Sequence, residues 1–494
     1  MVDLSSARVL VAGLGVTGRA VVRALSPVAV SVLSLDASAP DANLSAAADV
    51  DLGTVDLVVA SPGWPPSTPL FVEASTRGIP VWSEVELAWH LRVASRATGE
   101  PAPWLAVTGT NGKTTTVEML QSILEADGRR TAAVGNVGRP IVDAVLDDRI
   151  DVLAVELSSF QLHFTHSMSV LAGAVLNVAQ DHLDWHGSLE EYARAKGRIY
   201  ERAQRACVYS TADPRTEQLV RDADVVDGAR AVGLTLGAPG RSELGVVDGV
   251  LCDRAFHAAH DDPTRHERAA ELATMDDLAH LAGPDGSVPS HVVSNALAAA
   301  ALARAYGVSA AAVRDGLRAF HPGGHRIQTV ATAPARPQVT GSGAVAAGAD
   351  EVPPVAFVDD SKATNAHAAA ASLGSFAPGT VVWIAGGLAK GATFDDLVRT
   401  RSGQVRAAVL IGVDHVGLRE ALERHAPDVP VVEVDPGDTE TVMRRAVDQA
   451  FELALPGDTV LLAPACASMD QFSSYAERGD AFAREALRIA SAPR

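Results

Sequence analysis

Lysine is almost missing from this chain of 494 residues: 4 lysines stand against 37 arginines. Cysteine is equally sparse, and Cys207, Cys252 and Cys466 are too few and too scattered for a disulfide framework or a zinc site. That usage is expected of a reducing cytoplasm. Aromatic residues make up only 4% of the chain. No uninterrupted apolar run reaches the roughly 18 residues of a membrane span, so no span is expected. Nor does the N-terminus open on a basic stretch followed by an apolar core, so no signal peptide is expected. Positive charge is short as well: 60 acidic residues against 41 basic ones leave a formal charge of -19. This excludes broad nucleic-acid binding, which needs a basic face, but not a small anion in a local basic pocket. An apolar content of 47% excludes wholesale disorder. At roughly 150 residues per domain, the length predicts about three domains.

The rarity of lysine makes Lys113, Lys196, Lys362 and Lys390 informative. Arginine cannot replace lysine where chemistry needs a compact ammonium or an amine able to lose its proton.

Along the chain, short apolar runs alternate with helical stretches, the pattern of a parallel sheet covered on both faces. Strands are predicted at 8–12, 28–35 and 55–60, with a helix over 17–25. A turn-rich linker at 96–103 precedes a second unit. There, strands are predicted at 104–107, 151–157, 171–178 and 205–209, with a helix over 114–126 and alanine-rich helices over 291–306 and 310–320. Residues 237–286 mix β-like pieces with polar segments in no clear order. The turn His321-Pro322-Gly323-Gly324 reads as the second boundary, and strands follow at 355–358, 381–385, 407–411, 431–434 and 459–463. The segment 331–354, rich in Ala, Gly and Pro, is expected to be a surface loop.

Several segments carry chemistry. Gly13-Leu14-Gly15-Val16-Thr17-Gly18 fits G-x-G-x-x-G between a strand and a helix, with Asp36 at the end of the next strand. Such a turn lets backbone approach a pyrophosphate at a helix N-terminus, and the acid can accept from a ribose or a base. It does not separate NAD from other nucleotide diphosphates. The segment 108–115, Thr-Gly-Thr-Asn-Gly-Lys-Thr-Thr, is a stronger signal. It has the form of a phosphate loop, in which backbone N–H groups cradle phosphates, Lys113 reaches the β and γ oxygens and Thr114 binds magnesium. It is a variant loop, because Val107 stands at the usual first glycine position and Gly109 closes the turn instead. Glu156 ends an apolar strand, where acids beside a phosphate loop commonly hold magnesium. Asp181-His182-Leu183-Asp184 could ligate a metal or orient a phosphate. Lys196 is either on a solvated helix face or a buried amine able to carry a carbamate and so act as an extra carboxylate. In the third unit, Asp359 to Asn365, Gly386 to Gly391 and Pro464 to Phe472 follow successive strands, where open sheets bind ligands. Two lysines there would suit a small dicarboxylate.

Together these residues resemble the Mur ligase family over almost the whole chain and in order. The resemblance rests on GLGVTG, Ser61-Pro62-Gly63, TGTNGKTT, Gly135 to Gly138 (GNVG), Glu156 to Leu162 (ELSSFQL), DHLD, YARAK, His325-Arg326, DDSKATN and APACASMDQF. It implies an α/β fold of three domains: a Rossmann-like N-terminal UDP-binding domain over 1–100, a central P-loop ATPase domain over 101–323 and a Rossmann-like C-terminal domain over 324–494. The implied activity is ATP-dependent addition of an amino acid through an acyl phosphate, in cytoplasmic peptidoglycan precursor synthesis. The SSFQL, DDSKATN and ACASMDQF segments resemble those of members that add D-glutamate to UDP-N-acetylmuramoyl-L-alanine. The implied UDP-substrate contacts are Gly15, Val16, Thr17, Asp36 and Asn136. ATP would meet Gly109, Thr110, Asn111, Gly112, Lys113, Thr114 and Thr115, with Asn295, Arg326 and Asp360 on adenine and ribose. Thr114 would hold one magnesium; Glu156, His182 and carbamylated Lys196 would hold a second. Lys362, Thr364, Lys390, Ser468 and Tyr475 would frame D-glutamate, and Lys113, His182, Lys196 and Asn136 would serve catalysis. A monomer is expected.

The chain departs from the family at His291-Val292, where His-Asn is common, and at Tyr475, where phenylalanine is common and its role is expected to be largely backbone. Two other readings compete: a sister ligase for a different amino acid, and a nicotinamide-dependent oxidoreductase using the glycine turn. A catalytically dead binding module is a third.

Overall fold

The structure, a computed structural model, describes residues 2–259, 262–283, 286–335 and 352–492. They form two compact units. The first comprises residues up to 179 together with 185–280 and 290–320; the second comprises 180–184, 281–289 and the chain from His321 onward.

Two sheets share the first unit. A four-stranded parallel sheet runs in the order Ser31–Leu35, Arg8–Ala12, Leu57–Ala60 and Val81–Ser83. A nine-stranded sheet carries Trp104–Thr108 between Ala172–Val175 and Val152–Glu156, with Thr131–Gly135 at the edge. One hydrophobic core, including Val9, Leu57, Trp82, Trp104 and Leu153, serves both sheets. The central strands read as apolar runs because helices cover both faces. The region 237–286, unordered from sequence, contains the antiparallel strands Glu243–Val247, Val250–Asp253 and Ala270–Thr274, which extend the nine-stranded sheet. Its strands are short and partly exposed, so its apolar signal is weak.

The second unit holds a six-stranded sheet, parallel except for the edge strand Gln328–Ala333. That strand corrects the expected loop from 331: Ala331 to Ala333 pair with Val355–Asp359. The remainder of that segment, 336–351, lies outside the described residues. The strands Val381–Gly386, Val405–Ile411 and Thr459–Leu462 fall within a residue or two of their predicted places. No helix among the described residues is long and apolar enough to cross a membrane.

Candidate active site

The glycine turn opens the helix Val16–Leu25. Gly13 has φ +94°, and a Cβ on Gly18 would stand 1.9 Å from the Gly13 carbonyl oxygen, so only glycine fits at this closure. Nothing crowds Gly15, and Val16 is well exposed. Asp36 braces the turn: its carboxylate accepts from the Leu14 N–H at 2.7 Å and from the Ser38 N–H and hydroxyl at 2.8 Å each. The Leu14 and Ser38 donors hold its pKa down to about 2. Asp36 is thus ionised at neutral pH and already serves the turn from within.

The phosphate loop precedes the helix Lys113–Ala126. Gly109 and Gly112 take φ +155° and +82°. Asn177 clamps the loop from the end of the neighbouring strand: its Oδ1 accepts from the Asn111 N–H at 2.9 Å, its Nδ2 donates to the Asn111 carbonyl, and its own carbonyl accepts from the Thr110 N–H. Sequence reasoning missed Asn177, which belongs to no local glycine pattern. The Lys113 ammonium donates to the Gly109 and Thr110 carbonyls at 2.9 Å each. Asn295 is brought to the loop from a helix far along the chain, and a Cβ on Gly112 would collide with its Oδ1 at 2.4 Å.

Lys196 is not on a solvated face. It is 1% exposed, its Nζ donates to the Gly109 carbonyl at 2.9 Å, and it lies 4.3 Å from the centre of the Tyr192 ring. Two of the four lysines therefore share one carbonyl of the phosphate loop. Tyr192 also places its hydroxyl 3.2 Å from Thr110 Oγ1.

Glu156 is 1% exposed. Its Oε1 accepts from Asn136 Nδ2 at 2.7 Å, and Gly135 permits that approach because a Cβ there would stand 2.2 Å from the Glu156 carbonyl oxygen. Its Oε2 is buried with no hydrogen-bond partner among the described residues. An orphaned carboxylate oxygen of this kind beside a phosphate loop suits a hard divalent cation. After it, Ser158 and Gln161 form a capping box, and Gln161 donates to the buried Glu84, whose carboxyl burial pushes up to about 7.

The residues expected to hold a second metal are distributed over both units. Glu156 and Lys196 belong to the first unit, whereas His182 lies in the 180–184 segment that packs with the second. No group of three or more His, Cys, Asp or Glu among the described residues could hold a metal.

In the second unit, three loops leave neighbouring strand ends. Leu388 and Ala467 exchange backbone bonds at 2.9 and 3.0 Å, tying the Lys390 loop to the Ser468 loop. Arg478, 1% exposed, ties the Ser468 loop to the Lys362 loop: Nε and an η nitrogen donate to the Ser361 hydroxyl and carbonyl at 3.0 Å each, and both η nitrogens donate to the Cys466 carbonyl at 3.1 Å. Sequence reasoning did not single out Arg478, one arginine among 37. Tyr475 acts through more than its backbone: its carbonyl accepts from the Ser361 hydroxyl at 2.7 Å, and its ring lies 4.0 Å from the Lys362 ammonium. Thr364, Lys390, Ala465 and Ala467 line one depression with Asn365 and His182. Asp360 is buried, and burial pushes its carboxyl up to about 7, with neighbouring Asp359 adding to the rise. His325, beside Arg326, bonds Asp359 at 2.7 Å, and only Gly479 leaves room for the pair.

This arrangement pairs a phosphate loop with a buried acid and lysine, on a chain with a separate cationic loop set. The Mur ligase middle domain matches residues 107–303, and the Mur ligase glutamate ligase domain matches residues 345–466. A UDP-N-acetylmuramoylalanine--D-glutamate ligase of Streptomyces coelicolor is 53% identical, with 98% of each chain covered. The chain belongs to the Mur ligase family. The relative of the same name from Mycolicibacterium smegmatis is 45% identical over 97% of this chain and 96% of its own. Among solved structures, a pseudomurein peptide ligase type C from Methanothermus fervidus has a TM-score of 0.56 at 17% identity, covering 98% of this chain and 99% of its own. MurF ligase from Thermotoga maritima in complex with ADP has a TM-score of 0.53 at 13% identity, with 99% of each chain covered. These structures share the fold.

Proposed function

We propose that the chain joins D-glutamate to UDP-N-acetylmuramoyl-L-alanine at the expense of ATP, in cytoplasmic peptidoglycan precursor synthesis. The observation that carries this reading is the buried Glu156 carboxylate, with one oxygen unpartnered, on the strand beside the loop of Lys113. The names of relatives at 45–53% identity support the choice of substrates.

The γ-phosphoryl of ATP passes to the alanyl carboxylate, giving an acyl phosphate and ADP. The amine of D-glutamate then attacks the acyl carbon, the tetrahedral intermediate collapses, and phosphate leaves. Triphosphate, carboxylate and dicarboxylate repel one another strongly in a site poor in water, so cationic side chains are required. Lys113 neutralises the terminal phosphates. Thr114 would hold one magnesium ion and Glu156, with His182 and a carbamylated Lys196, a second; magnesium supplies further neutralisation of phosphate oxygens when bound. Lys196 would supply oxygen donors to that set as a carbamate, formed when its unprotonated amine adds carbon dioxide and releases a proton. Asn136 orients Glu156 through the 2.7 Å bond. The glycine turn, with Gly15, Val16 and Thr17, receives the uridine diphosphate. Asn295, Arg326 and Asp360 serve adenine and ribose, and Lys362, Thr364, Lys390, Ser468 and Tyr475 serve D-glutamate. Three domains divided near residues 100 and 323, acting as a monomer, complete the reading.

Phosphate release by the purified chain with ATP, magnesium and UDP-N-acetylmuramoyl-L-alanine tests it. Release with D-glutamate, and not with L-glutamate or meso-diaminopimelate, is expected. Release with another amino acid overturns the substrate assignment, and no release with any overturns the ligase reading.

A further inference from the structure

Arg304 and Arg406 are partly buried, and each carries its own counter-charge, Asp253 and Asp458. Arg92 is half-buried and does not. It follows the helix Glu84–Leu91, and its guanidinium carbon lies 3.1 Å from the centre of the Trp89 ring. Its Nε donates to the Trp89 carbonyl at 2.7 Å, while its two η nitrogens have no acceptor among the described residues. Burial pushes its pKa down to about 10, and no acid offsets that fall. A guanidinium withdrawn from water without a counter-charge is costly.

Arg92 lines a small cavity of the first unit together with Trp104, Asp147 and the apolar Val145, Ile150 and Leu153. The cavity has room for one occupant about the size of a water molecule. Trp104 is fully buried, and its Nε1–H has no hydrogen-bond partner among the described residues. Trp89 connects the two donors: its face stacks on the guanidinium, and its ring meets Trp104 edge-on at 5.0 Å. The acid on the wall is already committed. Asp147 accepts from Nε and an η nitrogen of Arg149 at 2.8 Å each, and from Arg139 at 3.3 Å. Arg149 above all holds its pKa well below the usual carboxylate range. The nearby Asp143 and Asp148 are answered by Arg23 and Arg96. Three guanidinium groups, Arg92, Arg139 and Arg149, therefore stand against the one carboxylate of Asp147.

We propose that Arg92 and Trp104 hold one small monovalent anion of halide size where the chain passes from the four-stranded to the nine-stranded sheet of the first unit. A water molecule in that cavity would satisfy the indole N–H but leave the guanidinium charge unanswered. An anion satisfies both at once, and bonds to a charged donor are the stronger kind. The size of the cavity excludes phosphate, sulfate and any nucleotide. The site has a structural purpose. Arg92 and Trp104 bracket the connection between the helix Glu84–Leu91 and the strand Trp104–Thr108. On the same wall the Val93 N–H donates to the Val145 carbonyl at 3.1 Å. An ion bound between Arg92 and Trp104 braces that connection, and it does so whichever reaction the chain performs.

Two measurements on the full chain test this. Crystals soaked in bromide are expected to show an anomalous peak in the cavity, within hydrogen-bond reach of Trp104 Nε1 and an Arg92 η nitrogen. Thermal unfolding is then followed while chloride replaces gluconate, an anion too large for the cavity, at constant ionic strength. The melting transition of the first unit is expected to rise by about 2–4 °C as chloride reaches roughly twenty times its dissociation constant. Arg92→Met keeps the apolar stem and removes the charge, so its transition should not respond to the exchange. Arg92→Lys keeps the charge and should retain part of the response. Absence of the bromide peak overturns the site, as does an equal response to chloride in Arg92→Met. A bromide peak with no chloride-dependent rise in the wild-type chain marks an adventitious ion only and overturns it as well. If Arg92→Met does not fold, the peak and the wild-type difference between chloride and gluconate still decide.

Discussion

Replacing Arg478 with methionine keeps a long apolar stem but removes the guanidinium that joins the Lys362 loop to the Ser468 loop. Four hydrogen bonds go with it, two to Ser361 and two to the Cys466 carbonyl, at 3.0 to 3.1 Å. Bonds from a charged donor contribute about 1.5–3 kcal/mol per acceptor group, so the three acceptors, the Ser361 hydroxyl and carbonyl and the Cys466 carbonyl, give about 6 kcal/mol at roughly 2 kcal/mol each. Against this stands the cost of burying the cation, which pushes the Arg478 pKa down to about 10 from 12.5 and corresponds to about 3 kcal/mol. The expected net loss is about 3 kcal/mol, or roughly 6–12 °C in the melting transition of a unit this size. Thermal unfolding followed by calorimetry reads it. The second readout is KM for D-glutamate, expected to rise roughly tenfold or more as the loops bearing Lys362 and Ser468 lose register, with a smaller change in KM for ATP. Arg478→Lys should recover little, because one ammonium cannot span both carbonyls. Unfolding within about 1 kcal/mol of wild type together with an unchanged KM for D-glutamate would refute the argument.

Lys113→Ala is expected to lower kcat by about 10³-fold or more, since the γ-phosphate loses its counter-charge, and single-turnover phosphate release checks it. Lys196→Ala is expected to lose roughly 10²-fold or more in activity, with partial recovery on adding short-chain carboxylic acids; absence of recovery counts against the carbamate. On the proposed role of Asp360 at the ribose, its carboxyl, pushed up to about 7, would accept a hydroxyl best when ionised, so KM for ATP should fall as pH rises from 6 to 8. Asp360→Asn should flatten that profile. The same raised pKa makes the stability contribution of Asp360 complete below its unfolded value of 3.8 and lost as pH rises through about 7, so the second unit of the wild-type chain should melt lower at pH 8 than at pH 5.

Local pattern accounts for much of what could be read in advance. The glycine turn, the phosphate loop and most strands of the first and third predicted regions lie within a few residues of their expected places, because buried parallel strands are continuous apolar runs and glycines at positive φ mark strand-to-helix turns. Four lysines in an arginine-rich chain pointed to the chemistry by their scarcity, and at least Lys113 and Lys196 are held by named partners at the phosphate loop. What sequence alone left out are groups whose purpose appears only across long separations. Asn177 clamps a loop 66 residues away, Arg478 braces Ser361 from 117 residues away, and Gly479 makes room for His325 and Asp359. The strands of 243–274 and the edge strand at 328–333 were obscure because their stabilising bonds come from neighbouring strands and not from their own apolar content. Residue type and spacing thus determined which groups could do the chemistry. Tertiary packing decided which carboxylates are buried, which oxygen of Glu156 is left unpaired and which rings line the first unit, because desolvation and hydrogen-bond satisfaction are properties of the assembled surroundings.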